Sequence, residues 1–367
     1  MEIARYNKWI AALLLYSAVS IMWSKYPEVA MKRWIKLFGS VVMALIVLSE
    51  SMPAEAISTL FRRCFLVHIP MDWVFVKYVR NLGTGWDDFG TEMWTGLTIH
   101  KNVLGQVCMT AGLYFIWDLF KKPGKSRSVV DLVYLVLIFL LMNGPGYSKS
   151  ASALLGLFIG IIVFFSLGFV KKELEGLNKF LAKGALVFLV LILIVKLGVW
   201  GFTEHQNIGD ATLDIAGRDS TLTGRTDLWG DVLGYASKNP IVGVGYGSFW
   251  IGSVTHNLWD KHYWRPTQGH NGYLDIYVEL GLIGLILFGG VLFSAFKSIR
   301  NRIIDDFDFG RFQMALFSTI VIHNITESSF MRGELDLWFV FLLVALNGPS
   351  PIPGRIPVSG DLAEHPA

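Results

Sequence analysis

The sequence predicts an all-α polytopic membrane protein of about ten transmembrane helices with one large outer loop, and three observations carry that expectation. Of its 367 residues 53% are hydrophobic and only 17% charged, against about a quarter charged in soluble domains. The apolar residues fall into runs near the roughly 20 residues that a helix needs to cross a bilayer. Lys and Arg collect in three short loops, as they do on the cytoplasmic side: Lys121, Lys122, Lys125 and Arg127; Lys171, Lys172, Lys179 and Lys183; Lys297, Arg300, Arg302 and Arg311.

The apolar runs centre on residues 8–23, 36–50, 57–79, 102–120, 129–143, 150–170, 183–202, 273–296, 312–330 and 335–348. The first follows Arg5 and Lys8 but has no small-residue cleavage site after it, so it reads as a span and not a signal peptide. Two runs are marginal, because 57–79 carries Arg62, Arg63 and Asp72 and 312–330 carries His323 and Glu327; either is expected to tilt or re-enter. With the three basic loops inside, both termini are cytoplasmic and 24–35, 80–100, 144–149, 203–272 and 330–334 lie outside. Lys25, Lys32 and Arg33 are the exception to the charge rule. The chain then divides into N-terminal transmembrane helices (1–202), a periplasmic loop subdomain (203–272), C-terminal transmembrane helices (273–348) and a Pro-containing disordered tail (349–367).

A net charge of +3, scattered among apolar runs, excludes a nucleic-acid-binding face. Cys64 and Cys108 both sit in apolar segments, where a thiol behaves as a small hydrophobe, so no disulfide framework is expected.

The outer loop 203–272 is far longer than the usual connection of roughly 4–6 residues and is expected to fold as a small unit. From Asp227 to Ser237, Leu228, Val232, Leu233 and Ala236 recur at helical spacing, Trp229 widens the face, and Lys238-Asn239-Pro240 stops the helix. The alternation Gly243, Gly245, Gly247 lacks the Gly-Lys-Ser/Thr of a phosphate loop, and the favoured reading is close packing of a loop against helix ends. Trp229, Tyr246, Phe249, Trp250, Trp259, Tyr263 and Trp264 suit headgroup depth and also stacking against sugar rings.

Candidate chemistry gathers at the outer ends of the spans. Arg218, Arg225 and Arg265 offer planar donor forks for phosphate or pyrophosphate oxygens. Lys101 adds a point charge at a helix N-terminus, beside His100 and Asn102, and Lys149, Ser150, Asn324, Glu327 and Arg332 border other spans. For any one of these an interfacial ion pair is the simpler account; the set on one face points to anion binding. His270, between Gly269 and Asn271-Gly272, precedes a helix beginning near Tyr273, and an imidazole is suited to take a proton from a sugar hydroxyl. His256 and His262 compete for that role, and none of the spacings resembles a zinc site.

Several of these stretches together resemble the bacterial O-antigen polymerase and ligase family, and within it the exopolysaccharide-polymerase branch of the ExoQ type. They are Trp23-Ser24 with Pro27, the run Thr98 to Gly105 around His100-Lys101-Asn102, the run Leu222 to Trp229 with Pro240 and Gly243 to Gly247, His270 with Gly281, and Asn324 to Glu327. The resemblance implies a GT-C-like, metal-independent, cofactor-free inverting glycosyltransferase of the bacterial inner membrane with a periplasmic site. His270 would be the catalytic base. Arg225 with Arg218 would hold the pyrophosphate of an undecaprenyl-linked oligosaccharide donor, and Lys101, Arg265 and Glu327 complete the candidate substrate-binding set. The expected partners are that donor, a saccharide acceptor and membrane lipids, with a chain-length regulator and a flippase as further candidates. A ligase acting on lipid A core or protein is the alternative, and a transporter for lipid-linked sugar is the rival from another class. About ten spans is fewer than the roughly twelve common in that family, a shortfall expected at the N-terminus.

Overall fold

The computed structural model describes residues 7–86, 92–121, 124–143, 150–173, 222–333 and 337–347. The expected span 183–202, Lys149, Arg218 and the tail 349–367 lie outside the described residues. Helix α1 (Lys8–Val19) runs into a 3-10 turn at Ser20–Trp23; α2 (Pro27–Leu48) and α3 (Pro53–Tyr78) each start on a proline, whose fixed φ suits the first helical turn. The short α4 (Arg80–Gly83) leads into a hairpin of β1 (Thr84–Trp86) and β2 (Glu92–Trp94), antiparallel with Gly85 opposite Met93. Then come α5 (Lys101–Phe120), α6 (Lys125–Asn143) and α7 (Ala151–Glu173). After the undescribed stretch follow α8 (Leu222–Ala236), α9 (Gly252–Lys261), α10 (Gly272–Asp305), α11 (Phe307–Thr326) and α12 (Leu337–Ala345).

Among the described residues α5, α6, α7 and α10 are long and apolar enough to cross a membrane, and α2 with α3, bent by 117°, make a fifth if the pair counts as one span. The chain is a multi-pass membrane protein with a helical bundle in which α11 packs on α7, α10, α5 and α12, while α10 also packs on α1. One buried apolar cluster runs through this bundle, from Leu13 and Leu37 to Trp117, Phe312 and Trp338. A second, smaller cluster joins Leu228, Trp229, Val232 and Ala236 of α8 to Phe249, Trp250 and Leu258 and to Leu274 and Val278 of α10. The helical spacing seen in the sequence thus buries the expected face, except Leu233, which is turned out to solvent.

The structure refines three expectations. Residues 24–35 are mostly helix, since α2 begins at Pro27, and Arg33 is no free loop charge: its Nη1 donates to the Gly247 carbonyl at 2.6 Å. Of the charges in 57–79, Arg62 and Asp72 find partners inside the bundle, while Arg63 is exposed. Arg62 lies 2.7 Å from Asp118 of α5 and 2.8 Å from Asp131 of α6, and Arg127 also pairs with Asp118. Asp72 accepts from the Leu97 amide at 2.9 Å. Finally, α11 ends at Thr326, so Glu327 stands in extended backbone just past the helix and not within a span 312–330.

Helix α10 is broken. At Gly281, φ is 66° and ψ −164°, and a Cβ there would lie 2.2 Å from the Ile241 carbonyl oxygen. The main-chain groups that the break frees are taken up by residues 240–245. Leu282 and Ile283 donate to the carbonyls of Pro240 and Ile241, and the carbonyls of Val278 and Glu279 accept from Val244 and Gly245. The alternating glycines therefore do pack a loop on a helix, at its interruption. The piece beyond the break, Leu282 to Asp305, is about 36 Å long at 1.5 Å per residue, enough for the roughly 30 Å hydrocarbon layer.

Candidate active site

The C-terminus of α11 meets the N-terminus of α10, and the candidate residues gather at that junction. Glu327 closes α11 by donating its N–H to the His323 carbonyl, and its own carbonyl accepts from Gly272 at 3.1 Å, at the first turn of α10. Asn271 caps α10, its side-chain oxygen accepting from Tyr273 and Leu274 at 3.1 Å each, which satisfies two of the open amides of a helix start.

The Glu327 side chain is 2% exposed and engages three partners. Its Oε2 lies 3.1 Å from His270 Nδ1; its Oε1 accepts from Asn102 Nδ2 at 2.7 Å and from Arg225 Nη2 at 3.1 Å. The other arm of Arg225 donates to the carbonyl of Thr326, so this guanidinium, from α8, caps the end of α11. Burial works to raise the Glu327 pKa, but the hydrogen bond from His270, with the charges of His270 and Arg225, outweighs it and holds the carboxyl at about 2. Glu327 is therefore ionised across the physiological range.

His270 is held in left-handed backbone at φ 46°, a conformation that costs a non-glycine residue roughly 1–2 kcal/mol and persists only where its surroundings impose it. They do so on both sides. Before it, the Gly269 amide donates to Asp275 Oδ1 at 3.0 Å and the Gly269 carbonyl accepts from Trp229 Nε1 at 2.7 Å. After it, the Asn271 amide donates to Ser328 Oγ at 3.1 Å. Asp275 also accepts from Trp250 Nε1 and pairs with Arg332, both at 2.9 Å. Trp264 stands beside the imidazole, ring centres 5.5 Å apart. Met331, at φ 56°, is held by the Tyr246 hydroxyl on its carbonyl, so the second turn facing the site is left-handed too.

The structure thus joins His270, Arg225 and Glu327 from the candidate set and adds Asn102. Lys101 is next to Asn102 and lines a small neighbouring cleft with Trp94, Gly105, Leu141, Met142 and Ser150. Arg265 is exposed, in a left-handed turn, and its side chain makes no hydrogen bond or ion pair with the described residues; neighbouring in sequence to His270 does not bring it to Glu327. Of the competing histidines, His262 is paired with Asp231 at 3.0 Å, which Lys261 also contacts at 2.6 Å. The Lys261 and His262 bonds hold the Asp231 carboxyl below its ordinary value. His256 packs its ring against Trp259. Among the described residues no group of three His, Cys, Asp or Glu is placed to hold a metal ion.

Asp275 and Ser328 were not among the candidate residues, and Asn102 and Trp229 were, but without these partners. Asn102 was visible as one of the polar residues opening a helix, and Asp275 as an acid in a first helical turn, where the dipole favours it; neither signal says what the side chain will touch.

A family model described as O-antigen ligase matches residues 104–289, half of the chain, taking in Arg225 and His270 and stopping short of Glu327. The exopolysaccharide production protein ExoQ of Rhizobium meliloti (strain 1021) is 29% identical over 81% of this chain and 66% of its own length. A candidate polysaccharide ligase of Rickettsia conorii is 28% identical over 62% of this chain and 53% of its own length, and one of Rickettsia felis 27% identical over 49% and 42%. The chain spans less than two-thirds of the length of each of these relatives.

Proposed function

The chain belongs to the O-antigen ligase family, and from that premise we propose that it is a glycosyltransferase joining undecaprenyl-pyrophosphate-linked saccharide repeat units into exopolysaccharide or O-antigen. The site would face the periplasm from the inner membrane. The observation that carries the reading is the contact of His270 with ionised Glu327. An ionised carboxylate can only accept hydrogen bonds, so the facing Nδ1 carries a proton, and in the neutral ring Nε2 keeps its lone pair. That is the tautomer of a general base, held as carboxylates hold histidines in hydrolytic triads.

In the proposed reaction an acceptor hydroxyl gives its proton to Nε2 while its oxygen attacks the donor's anomeric carbon opposite the pyrophosphate. The bond from that carbon to the pyrophosphate oxygen breaks, its electron pair leaves with the oxygen, and configuration inverts. The imidazolium is stabilised by Glu327, whose role moves from touching substrate to supporting the base. Arg225, with Arg218 and Lys101, is assigned to the departing pyrophosphate; a guanidinium already anchored on Thr326 and Glu327 needs no reorganisation as that charge develops. Arg265 is assigned to the rim, where an exposed turn can meet a saccharide. Membrane lipids surround the bundle, and a flippase and a chain-length regulator are the proposed protein partners. No metal or cofactor is assigned a step.

The second reading, a ligase delivering finished polysaccharide to lipid A core or protein, is favoured by the names of the Rickettsia relatives. A broken helix also occurs in transporters, but here main-chain bonds close the break. Purified protein given lipid-linked repeat units alone should yield a ladder of elongated lipid-linked product; product that forms only with a second acceptor would replace polymerase by ligase. His270→Ala should lose about 10²–10⁴-fold in rate while still binding donor, and an undiminished rate would end the assignment.

A further inference from the structure

The bundle below Glu327 holds polar side chains that the reaction above does not use. Helices α5 and α11 pack together and are tied at the site by Asn102 and Glu327. Helix α5 runs inward from the site and α11 ends at it, so one turn deeper is four residues after Asn102 and four before Glu327. Those positions are Gln106 and His323, and a further turn brings Thr110 and Thr319. The i, i+4 spacing keeps each set of three on one line along the chain. The threonines are satisfied by main chain, Thr110 on the Gln106 carbonyl at 2.9 Å and Thr319 on the Gly156 carbonyl at 3.0 Å.

Gln106 and His323 are not. His323 is 1% exposed and Gln106 7%; both His323 ring nitrogens and Gln106 Oε1 have no hydrogen-bond partner among the described residues. The charged groups that act on His323 are Glu327 and Arg225, both of the site. Buried polar atoms without partners weaken a fold, and apolar residues of the same size would relieve the cost. In a membrane bundle such residues mark function.

We propose that Gln106 and His323 are positioning residues that enclose ordered water directly beneath Glu327, and that this hydrated tier fixes the carboxylate and, through it, the His270 ring. A buried water needs two to four polar partners, and the two His323 nitrogens and Gln106 Oε1 are available to supply them. The inference rests on His270 acting as the base.

The test uses the whole chain, purified into lipid nanodiscs, with lipid-linked repeat units as substrate. His323→Leu and Gln106→Leu should each lower kcat by roughly 10- to 100-fold, as small misplacements of catalytic groups do. Donor KM should hold, and thermal stability should stay level or rise. His323→Gln should recover most of kcat, and the double leucine variant should be no slower than the slower single one, because both remove one support. Full kcat in His323→Leu overturns the proposal, as do losses that simply add, or a kcat loss equal in the Leu and Gln variants and matched by lower thermal stability. His270→Ala is run alongside. If it is active, the assignment of the base has failed; if it is inactive while His323→Leu is fully active, only the hydrated tier has.

Discussion

Exchanging Glu327 for Gln changes one atom and removes one charge, and the contacts around it fix the outcome. Asn102 Nδ2 and Arg225 Nη2 both donate to Oε1, and His270 Nδ1 faces Oε2. An amide has one oxygen. Turned towards Asn102 and Arg225, where two donors compete for it, the amide presents its NH2 to His270. Nδ1 must then accept, the ring proton moves to Nε2, and the lone pair needed for the acceptor's proton is gone. The analogous change beside the histidine of the serine-protease triad costs about 10⁴-fold, so Glu327→Gln should lose about 10³–10⁴-fold in kcat, roughly 4–5.5 kcal/mol of barrier. Turned the other way, the amide sets NH2 against the half-buried Arg225 guanidinium, and removing one partner of a buried pair costs up to about 3–5 kcal/mol of stability. The assay is the rate of ladder formation from lipid-linked repeat units, read beside thermal unfolding. The two are also linked through pH. The Glu327 pKa of about 2 lies below the roughly 4.3 of an unfolded glutamate, so its ionisation contributes stability in full above about pH 4.3. That contribution fades as pH falls towards about 2. The stabilities of wild type and Glu327→Gln should therefore converge below about pH 4, and an acid limb of activity centred above about pH 4 belongs to another group. A Gln variant within about threefold of wild-type kcat would refute the tautomer argument.

Arg225→Lys should fold yet lose about 100-fold in activity, since one ammonium cannot serve both the Thr326 carbonyl and Glu327; product yield per folded molecule checks it. Gly281→Ala should destabilise by on the order of 3 kcal/mol, because φ 66° and a Cβ 2.2 Å from the Ile241 oxygen admit no side chain; a thermal unfolding curve unchanged from wild type would contradict this. Ser253→Cys, exposed on α9, should be labelled by an impermeant thiol reagent in intact spheroplasts, and Lys122→Cys only after permeabilisation; the reverse pattern inverts the orientation.

What the sequence made legible is what local pattern encodes. The spacing of Leu228, Val232 and Ala236 is recorded in α8, the stop at Lys238-Asn239-Pro240 marks its end, and His270 and Arg225 stood out by residue type and setting. What it did not carry is pairing across the chain. Glu327 meets Arg225 and His270 over separations of 102 and 57 residues, and Arg33 meets Gly247 over 214; periodicity records neither. Proximity in sequence to His270 does not bring Arg265 to Glu327, since a left-handed turn leaves it at the surface. Charge within an apolar run showed that Arg62 was unusual but not that two aspartates on other helices offset its desolvation.

The splice at Gly281 is made mostly of main chain, with the Tyr16 hydroxyl added on the Leu280 carbonyl at 3.2 Å. Four backbone hydrogen bonds tie the two ends of the interrupted helix to residues 240–245, and such bonds do not ask which side chains the joined residues bear. Three glycines are demanded by the geometry of the joint, Gly281 at φ 66°, Gly243 at φ 70° and Gly245 at φ 101°; the other residues of the flanks answer to packing. Away from those glycines, the joint that supports the His270 segment therefore tolerates sequence drift that would ruin one built from side-chain pairs.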